Sequence, residues 1–282
     1  MDISEASLIV CSIVRNAEQG LRRNIPVIRS LCRLFREYRV VVYENDSLDG
    51  TVRLLEAWAS EDSRMSFFSR KCGVRTIPTA QEVSCNPFYS RYRISKMAAF
   101  RNQYLDYVEK QGWNPDYLMV VDLDVARLRL DPILSSFRDG QEWDAVTAFG
   151  HSLSPRFVRR YHDTYALVEQ GQENVPQTEV SITRSQYRWG HLRSSDPWVS
   201  VFSAFGGLAI YRYDCIRGLR YQCIDNGDPR VEVRCEHFSL YRQMKERGYS
   251  RVFINPAMRL KYQRLTFKII RDSLRRRFRI CP

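Results

Sequence analysis

The chain predicts an α/β fold with a mixed, mainly parallel sheet flanked by helices, and three observations carry that expectation. Short apolar runs suited to buried strands alternate with helix-patterned segments through the first half. Their order, strand–helix repeated, suits parallel strands joined by crossover helices. Polar residues cluster where those strands end, and ligands of such sheets gather beyond the carboxyl ends.

Ser7 to Val14 is the first apolar run and ends at Arg15-Asn16. A helix follows with Ile25, Ile28, Leu31, Cys32 and Phe35 on one face, and Pro26 marks its first turn. Tyr38 to Tyr43 reads as the second strand and runs into Glu44-Asn45-Asp46-Ser47. Thr51 to Ala59 is helical, with Ser47 or Asp49 as its cap. Met65 to Ser69 gives a third strand. After a polar loop, a strong helix from Arg93 to Glu109 carries Ile94, Met97, Ala98, Leu105 and Val108 as its stripe. The fourth strand, from Tyr117, ends in Asp122-Leu123-Asp124.

The second half is less regular. Ala145 to Phe149 is strand-like, and 152–195 reads as a polar, aromatic flap. Phe202 to Tyr211 is apolar around Gly206-Gly207. Glu236 to Arg247 is a helix, Val252 to Ile254 a last strand, and Leu265 to Arg279 a basic amphipathic helix. No repeat or linker is evident, so a single domain over 1–262 with a basic tail over 263–282 is expected.

The 282 residues suffice for a large core, and 44% hydrophobic with 27% charged residues is ordinary for a soluble protein. A net charge of +12, carried mostly by arginine, calls for an anionic partner: a nucleotide diphosphate, an acidic glycan, a headgroup or a nucleic acid. No helix-turn-helix, zinc-finger or RNA-binding signature supports the last. The eight scattered cysteines lack zinc-ligand spacing. Acidic residues open the chain and no apolar stretch is long enough to span a membrane, so a cytoplasmic location is expected, with the basic tail either a packed terminal helix with a solvated basic face or a peripheral contact with an anionic membrane.

Asp122 and Asp124 are the pivotal pair. Residues i and i+2 share a face of a strand, so both carboxylates point into one crevice if the strand continues through Leu123. Two such charges call for a hard cation, Mg²⁺ or Mn²⁺, bound together with a phosphorylated substrate. The bland alternative is a helix cap for Asp122 and an arginine partner for Asp124.

Glu44 and Asp46, at a strand end, are candidates to hold a base or ribose, against plain turn chemistry. Arg101 falls on the apolar stripe of its helix, so it needs a partner: a structural ion pair or a donor phosphate. Gly206-Gly207 suits close packing or the approach of a sugar, with Trp198, Phe202 and Phe205 as stacking faces. Glu236 is favourable in a helix first turn and is also a candidate base, with His237 beside it as a candidate metal ligand.

Taken in order, SLIVCSIVRN, YENDSLDGT, the helix with RN, VVDLDV, FGG and CEH resemble the GT-A fold (Rossmann-like) glycosyltransferases that use nucleotide-sugar donors. The resemblance spans about residues 7 to 262 and is nearest to the CAP59-like, capsule-associated mannosyltransferase group. It implies that Asp122 and Asp124 form a metal-binding DxD motif, with Asp124 the more direct ligand. It also implies that Glu44 contacts the nucleoside, that Gly206-Gly207 lies along the acceptor side, and that Glu236 is the base of an inverting reaction. His237 departs from the commoner Glu-Asp pattern, which leaves two options: Glu236 as base, or His237 as metal ligand with another base.

The expected activity is transfer of a sugar from a UDP- or GDP-linked donor to a hydroxyl of a glycan or lipid-linked acceptor, as in polysaccharide biosynthesis. A sugar-phosphate nucleotidyltransferase shares the plan, but Arg15-Asn16-Ala17-Glu18 stands where its Gly-rich loop belongs. A non-enzymatic polyanion-binding protein is the third reading.

Overall fold

The computed structural model describes residues 2–138, 140–154, 157–262 and 271. Its strands are β1 (Ser7–Val14), β2 (Glu37–Asn45), β3 (Met65–Arg70), β4 (Tyr117–Val121), β5 (Ala145–Leu153), β6 (Arg159–Tyr161), β7 (Val199–Ser200), β8 (Leu208–Arg212) and β9 (Val252–Lys261). The α-helices are α1 (Glu18–Cys32), α2 (Thr51–Glu61), α3 (Arg91–Lys110), α4 (Leu130–Arg138), α5 (Glu179–Arg188), α6 (Tyr213–Ile216) and α7 (Glu236–Glu246).

All described strands join one sheet in the order β3-β2-β1-β4-β8-β5-β9-β7, with β6 on β5. The first half is parallel throughout, as β-α alternation requires. The second half mixes directions: β8 runs antiparallel between β4 and β5, while β9 returns parallel to β5. The single α/β domain with a mixed sheet is therefore observed. The parallel character belongs to its first half.

One face of the sheet packs Ile94, Ala98, Leu105 and Val108 of α3 with Leu240, Tyr241 and Met244 of α7. The opposite face packs Leu21, Ile28 and Leu31 of α1, Leu55 and Trp58 of α2, and Ile133 and Leu134 of α4. β1 and β4 are buried on both faces, which explains their uninterrupted apolar runs.

Several expectations change. α1 begins at Glu18, so Pro26 lies inside the helix rather than in its first turn. The early start follows from Leu21 and Asn24, both buried against the chain after β4. Residue 50, a glycine, caps α2; Asp49 assists by accepting from the Thr51 amide, while Ser47 bonds to the Asn16 amide. The stretch 152–195 is not a loose flap. It contains β6 and α5, a capping box at Thr178 and Ser181, and buried Tyr161, Tyr165, Leu167 and Ile182. The apolar run 202–211 becomes a strand only after the glycine pair, and β9 extends seven residues past Ile254. The basic helix expected at 265–279 lies outside the described residues, Arg271 aside. Among the described residues no helix is long and apolar enough to cross a membrane.

Candidate functional site

A cleft of about 330 Å³ opens beyond the carboxyl ends of β1, β2 and β4. Asp122, Asp124, Arg101, Glu236 and His237 line it together, although they come from three separate parts of the sequence.

β4 stops at Val121, and residues 123 and 124 form a turn, so strand alternation does not aim the two aspartates. Leu123 aims them instead. Its side chain is fully buried in the core, leaving its neighbours to face the cleft. Asn24 of α1 holds this turn from behind: its Nδ2 donates to the carbonyls of Leu123 and Val125 at 2.9 Å each, and its Oδ1 accepts from the Leu128 amide at 3.1 Å. Gly20 lets the helix come this close, since a Cβ there would sit 2.5 Å from the Asp124 Cα. Neither residue stands out in the sequence, because the contacts bridge about a hundred positions.

The Asp122 amide donates to the Gly207 carbonyl at 2.9 Å. The Tyr262 hydroxyl donates to the Asp122 carboxylate, and the Arg101 guanidinium lies 3.8 Å from its other oxygen. Burial, together with Asp124 and Glu236, pushes Asp122 up to about 7 against the pull of Arg101 and Tyr262. Asp124 reaches solvent, yet the surrounding protein raises it too. Among the described residues no three His, Cys, Asp or Glu side chains gather as a ready cation site. The structure therefore does not bring His237 to the two aspartates as a ligand group.

Arg101 is buried, and its Nε donates to Glu236 Oε1 at 2.9 Å. Its guanidinium also lies 4.9 Å over the Phe205 ring. It is thus paired with carboxylates while still lining the cleft. Burial opposes the charge on Glu236, but Arg101, His237 and Arg93 outweigh it and hold the carboxyl down at about 2. His237 stacks on Phe205 at 3.9 Å; neither ring nitrogen has a hydrogen-bond partner among the described residues, and Nε2 lies 3.9 Å from Glu236 Oε1. Burial and Arg101 push it well below its usual value, so it is neutral.

The remaining sequence candidates lie elsewhere. Glu44 is buried, with its oxygens taken by the Ser47 amide at 2.8 Å and the Ser69 hydroxyl. Asp46 has φ +54° and accepts from the Gly73 amide and Asn45. Both act as turn formers and neither lines the cleft, whereas their neighbour Asn45 does. Gly206 and Gly207 (φ +61° and +90°) pack against protein: a Cβ on the first would meet the Ala148 carbonyl at 2.2 Å, and one on the second the Tyr262 ring at 2.7 Å. They seat Asp122 and Tyr262, and neither glycine lines the cleft. Trp198 packs edge-on against Phe253, away from the cleft.

The cleft also holds residues that sequence reasoning passed over. Arg15 and Arg93 line it without a carboxylate partner among the described residues. Arg15 donates to the Val74 carbonyl at 2.9 Å, and Phe100 offers a ring stacked on Tyr43. His162 stacks on Tyr262 at 3.5 Å, and Asp163 follows it in the wall. Burial, Asp122 and Glu236 push Asp163 up to about 8.

A family model described as Cryptococcal mannosyltransferase 1 matches residues 7–246. No curated protein matches the chain in sequence. Among solved structures, the mannosyltransferase PcManGT from Pyrobaculum calidifontis, in complex with GDP-Man and Mn²⁺, is similar at a TM-score of 0.51 and 11% identity, over 99% of this chain and 66% of that one. S. aureus TarS 1-349 in complex with UDP-GlcNAc gives 0.46 and 12% over 92% and 60%, and GalNAc-T7 with UDP, GalNAc and Mn²⁺ gives 0.45 and 12% over 96% and 48%. At such identities the likeness is one of fold. This chain spans just under two thirds of the first of these structures and less of the other two.

Proposed function

The chain belongs to the family described as Cryptococcal mannosyltransferase 1, a glycosyltransferase family with the GT-A fold, and from that premise we propose a metal-dependent, inverting sugar transfer from a nucleotide-diphosphate donor to a hydroxyl acceptor. One observation supports it above all. Asp122 and Asp124 face a cleft at the strand ends beside a buried Arg101–Glu236 pair, with two further arginines in the wall.

The donor set suits a hard divalent cation, Mn²⁺ or Mg²⁺. Asp124 is the open carboxylate, and Asp122 is crowded by other acids and held by one hydroxyl. Bound there with phosphate and water, such an ion would offset the charge of the leaving nucleotide diphosphate. Arg15 and Arg93 are placed to contact phosphate oxygens, and Phe100 and Asn45 to meet the nucleoside.

Glu236 is the proposed base. Its pair with Arg101 keeps it anionic through the physiological range. A carboxylate of such low proton affinity is a poor base toward a free alcohol. It suffices here, because the acceptor oxygen becomes strongly acidic as it bonds to the anomeric carbon, and the proton then passes to Glu236. His237, neutral and without a hydrogen-bond partner on either nitrogen among the described residues, is proposed as a hydrogen-bonding group toward substrate rather than a metal ligand.

A mannosyl donor is favoured by the family, and a glycan or lipid-linked acceptor remains the proposal for the other substrate. The test is a screen of GDP- and UDP-sugars for Mn²⁺-dependent hydrolysis and thermal stabilisation. The expected result is one preferred donor, lost in Asp124→Ala, with transfer lost in Glu236→Gln. Turnover that persists in both variants would remove the mechanism.

A further inference from the structure

Position 163 belongs to no motif, yet the fold places a carboxylate there on unusual terms. Asp163 has φ +68°, a left-handed conformation that side-chain-bearing residues seldom adopt. The backbone around it is fixed: Tyr161 is fully buried, the Thr164 hydroxyl donates to the Ile182 carbonyl at 2.9 Å, and the Ala166 amide donates to the Asp163 carbonyl at 3.2 Å. The carboxylate itself accepts no hydrogen bond and makes no ion pair with any described residue.

The other acids of the cleft are accounted for. Asp122 takes the Tyr262 hydroxyl, Glu236 takes Arg101 and the Cys235 thiol, and Asp124 opens to solvent. A buried group without a hydrogen bond lines the same cleft: His237, 1% exposed, neither ring nitrogen hydrogen-bonded among the described residues and its Nε2 3.9 Å from Glu236 Oε1. Unpaired groups in a strained, well-fixed frame cost stability, and such costs collect where a ligand will relieve them.

The chemistry narrows the ligand. Asp122, Asp124 and Glu236 line the same cleft as Asp163, and this concentration of acids favours a neutral ligand over an anion beside it. The described acids and histidines form no three-ligand group for a cation. A neutral group rich in O–H donors fits both the carboxylate and the imidazole. We propose that Asp163 is a sugar-binding residue, accepting hydrogen bonds from hydroxyls of a sugar lodged between Asp122 and Glu236. The inference rests on the glycosyl-transfer reading above, and the sugar is either the one transferred or the acceptor.

The test compares wild type, Asp163→Asn and Asp163→Ala in Mn²⁺, with GDP, GDP-mannose and methyl α-mannoside as probes. Asp163→Asn is expected to melt at or above the wild-type temperature, Asp163→Ala somewhat lower because alanine tolerates φ +68° less well than aspartate, and both to bind GDP unchanged. Loss of a hydrogen bond to the Asp163 carboxyl weakens the sugar-dependent part roughly 2- to 10-fold. If the transferred sugar is the ligand, the loss falls on GDP-mannose affinity relative to GDP. If the acceptor is, it falls on the mannoside KM, with donor hydrolysis intact. Unchanged values in both arms overturn the proposal, as does a lowered melting temperature with GDP affinity falling in parallel, which marks a structural role. A wild-type protein that binds neither GDP nor UDP with Mn²⁺ defeats the glycosyl-transfer reading itself.

Discussion

Gly20→Ala sets two physical effects of opposite sign against each other. Gly20 sits inside α1, and on helix propensity alone alanine there stabilises by about 1 kcal/mol. The added Cβ, however, would lie 2.5 Å from both the Asp124 Cα and the Leu123 carbonyl oxygen, and 2.9 Å from the Asp124 carbonyl carbon. Favourable carbon contacts begin near 3.5 Å, so helix and turn must separate by about 1 Å. Both partners are backbone, α1 is anchored by fully buried Leu21 and Ile28, and Asn24 ties the turn to the same helix. Overpacking of this kind costs about 1–3 kcal/mol, so it outweighs the propensity gain in most of that range. The net is a loss of up to about 2 kcal/mol, or a fall in Tm of several degrees for a domain of this size, on the order of 2–4 °C per kcal/mol. Function should suffer more, because a displacement of about 1 Å at reacting groups costs on the order of 100-fold in rate. Thermal melting and Mn²⁺-dependent GDP-mannose turnover measure the two consequences. A variant that melts higher than wild type and turns over at the wild-type rate would refute the claim that α1 positions the aspartates.

Four further outcomes follow from the same geometry. Asn24→Ala removes three hydrogen bonds to the turn and should lower stability by about 2–4 kcal/mol in a denaturant titration, with a matching loss of cation affinity. Asp122, raised to about 7, must be ionised to bind a cation, so Mn²⁺ affinity should fall as pH drops through 7; a flat profile between pH 6 and 8 contradicts this. The same shift makes cation-free stability decline as pH rises from about 4 toward 7, because the unfolded chain binds its proton more weakly, and Asp122→Asn should reduce that decline, with Asp163 carrying the part that remains. Tyr262→Phe deletes the hydroxyl that favours the ionised form, so the pH dependence of Mn²⁺ binding should move upward.

How far the chain could be read before folding depended on the distance over which each signal acts. Strands such as Ser7–Val14 and Tyr117–Val121 are buried on both faces, and their runs of Val, Ile and Leu show it locally. The acid pair of Asp122 and Asp124 was visible for the same reason, though a turn and the buried Leu123 aim it, not strand alternation. Glu44 and Asp46 misled because turns and nucleotide sites draw on the same residue types, and here the turn consumes their oxygens. The burial of Arg101 was legible from helix spacing, but its partner Glu236 lies 135 residues away. His162 and Asp163 were hidden in a polar stretch whose order comes from Tyr161, Tyr165 and Ile182 packing far from their sequence neighbours. Gly20 and Asn24 are ordinary helix residues until the turn they support is known.

The most direct measurement of the central claim is nucleotide-sugar turnover with and without a divalent cation, in wild type and in Asp124→Ala. GDP-mannose leads the donor panel on the family's name. Asp124 is exposed at the cleft and unpaired with any other side chain among the described residues, so its substitution should leave the fold intact. The account predicts turnover by wild type in Mn²⁺ that vanishes in EDTA and returns on adding Mn²⁺, and a variant that melts like wild type yet stays inactive at any Mn²⁺ concentration. Turnover at the wild-type rate in EDTA, or in the variant, would contradict it.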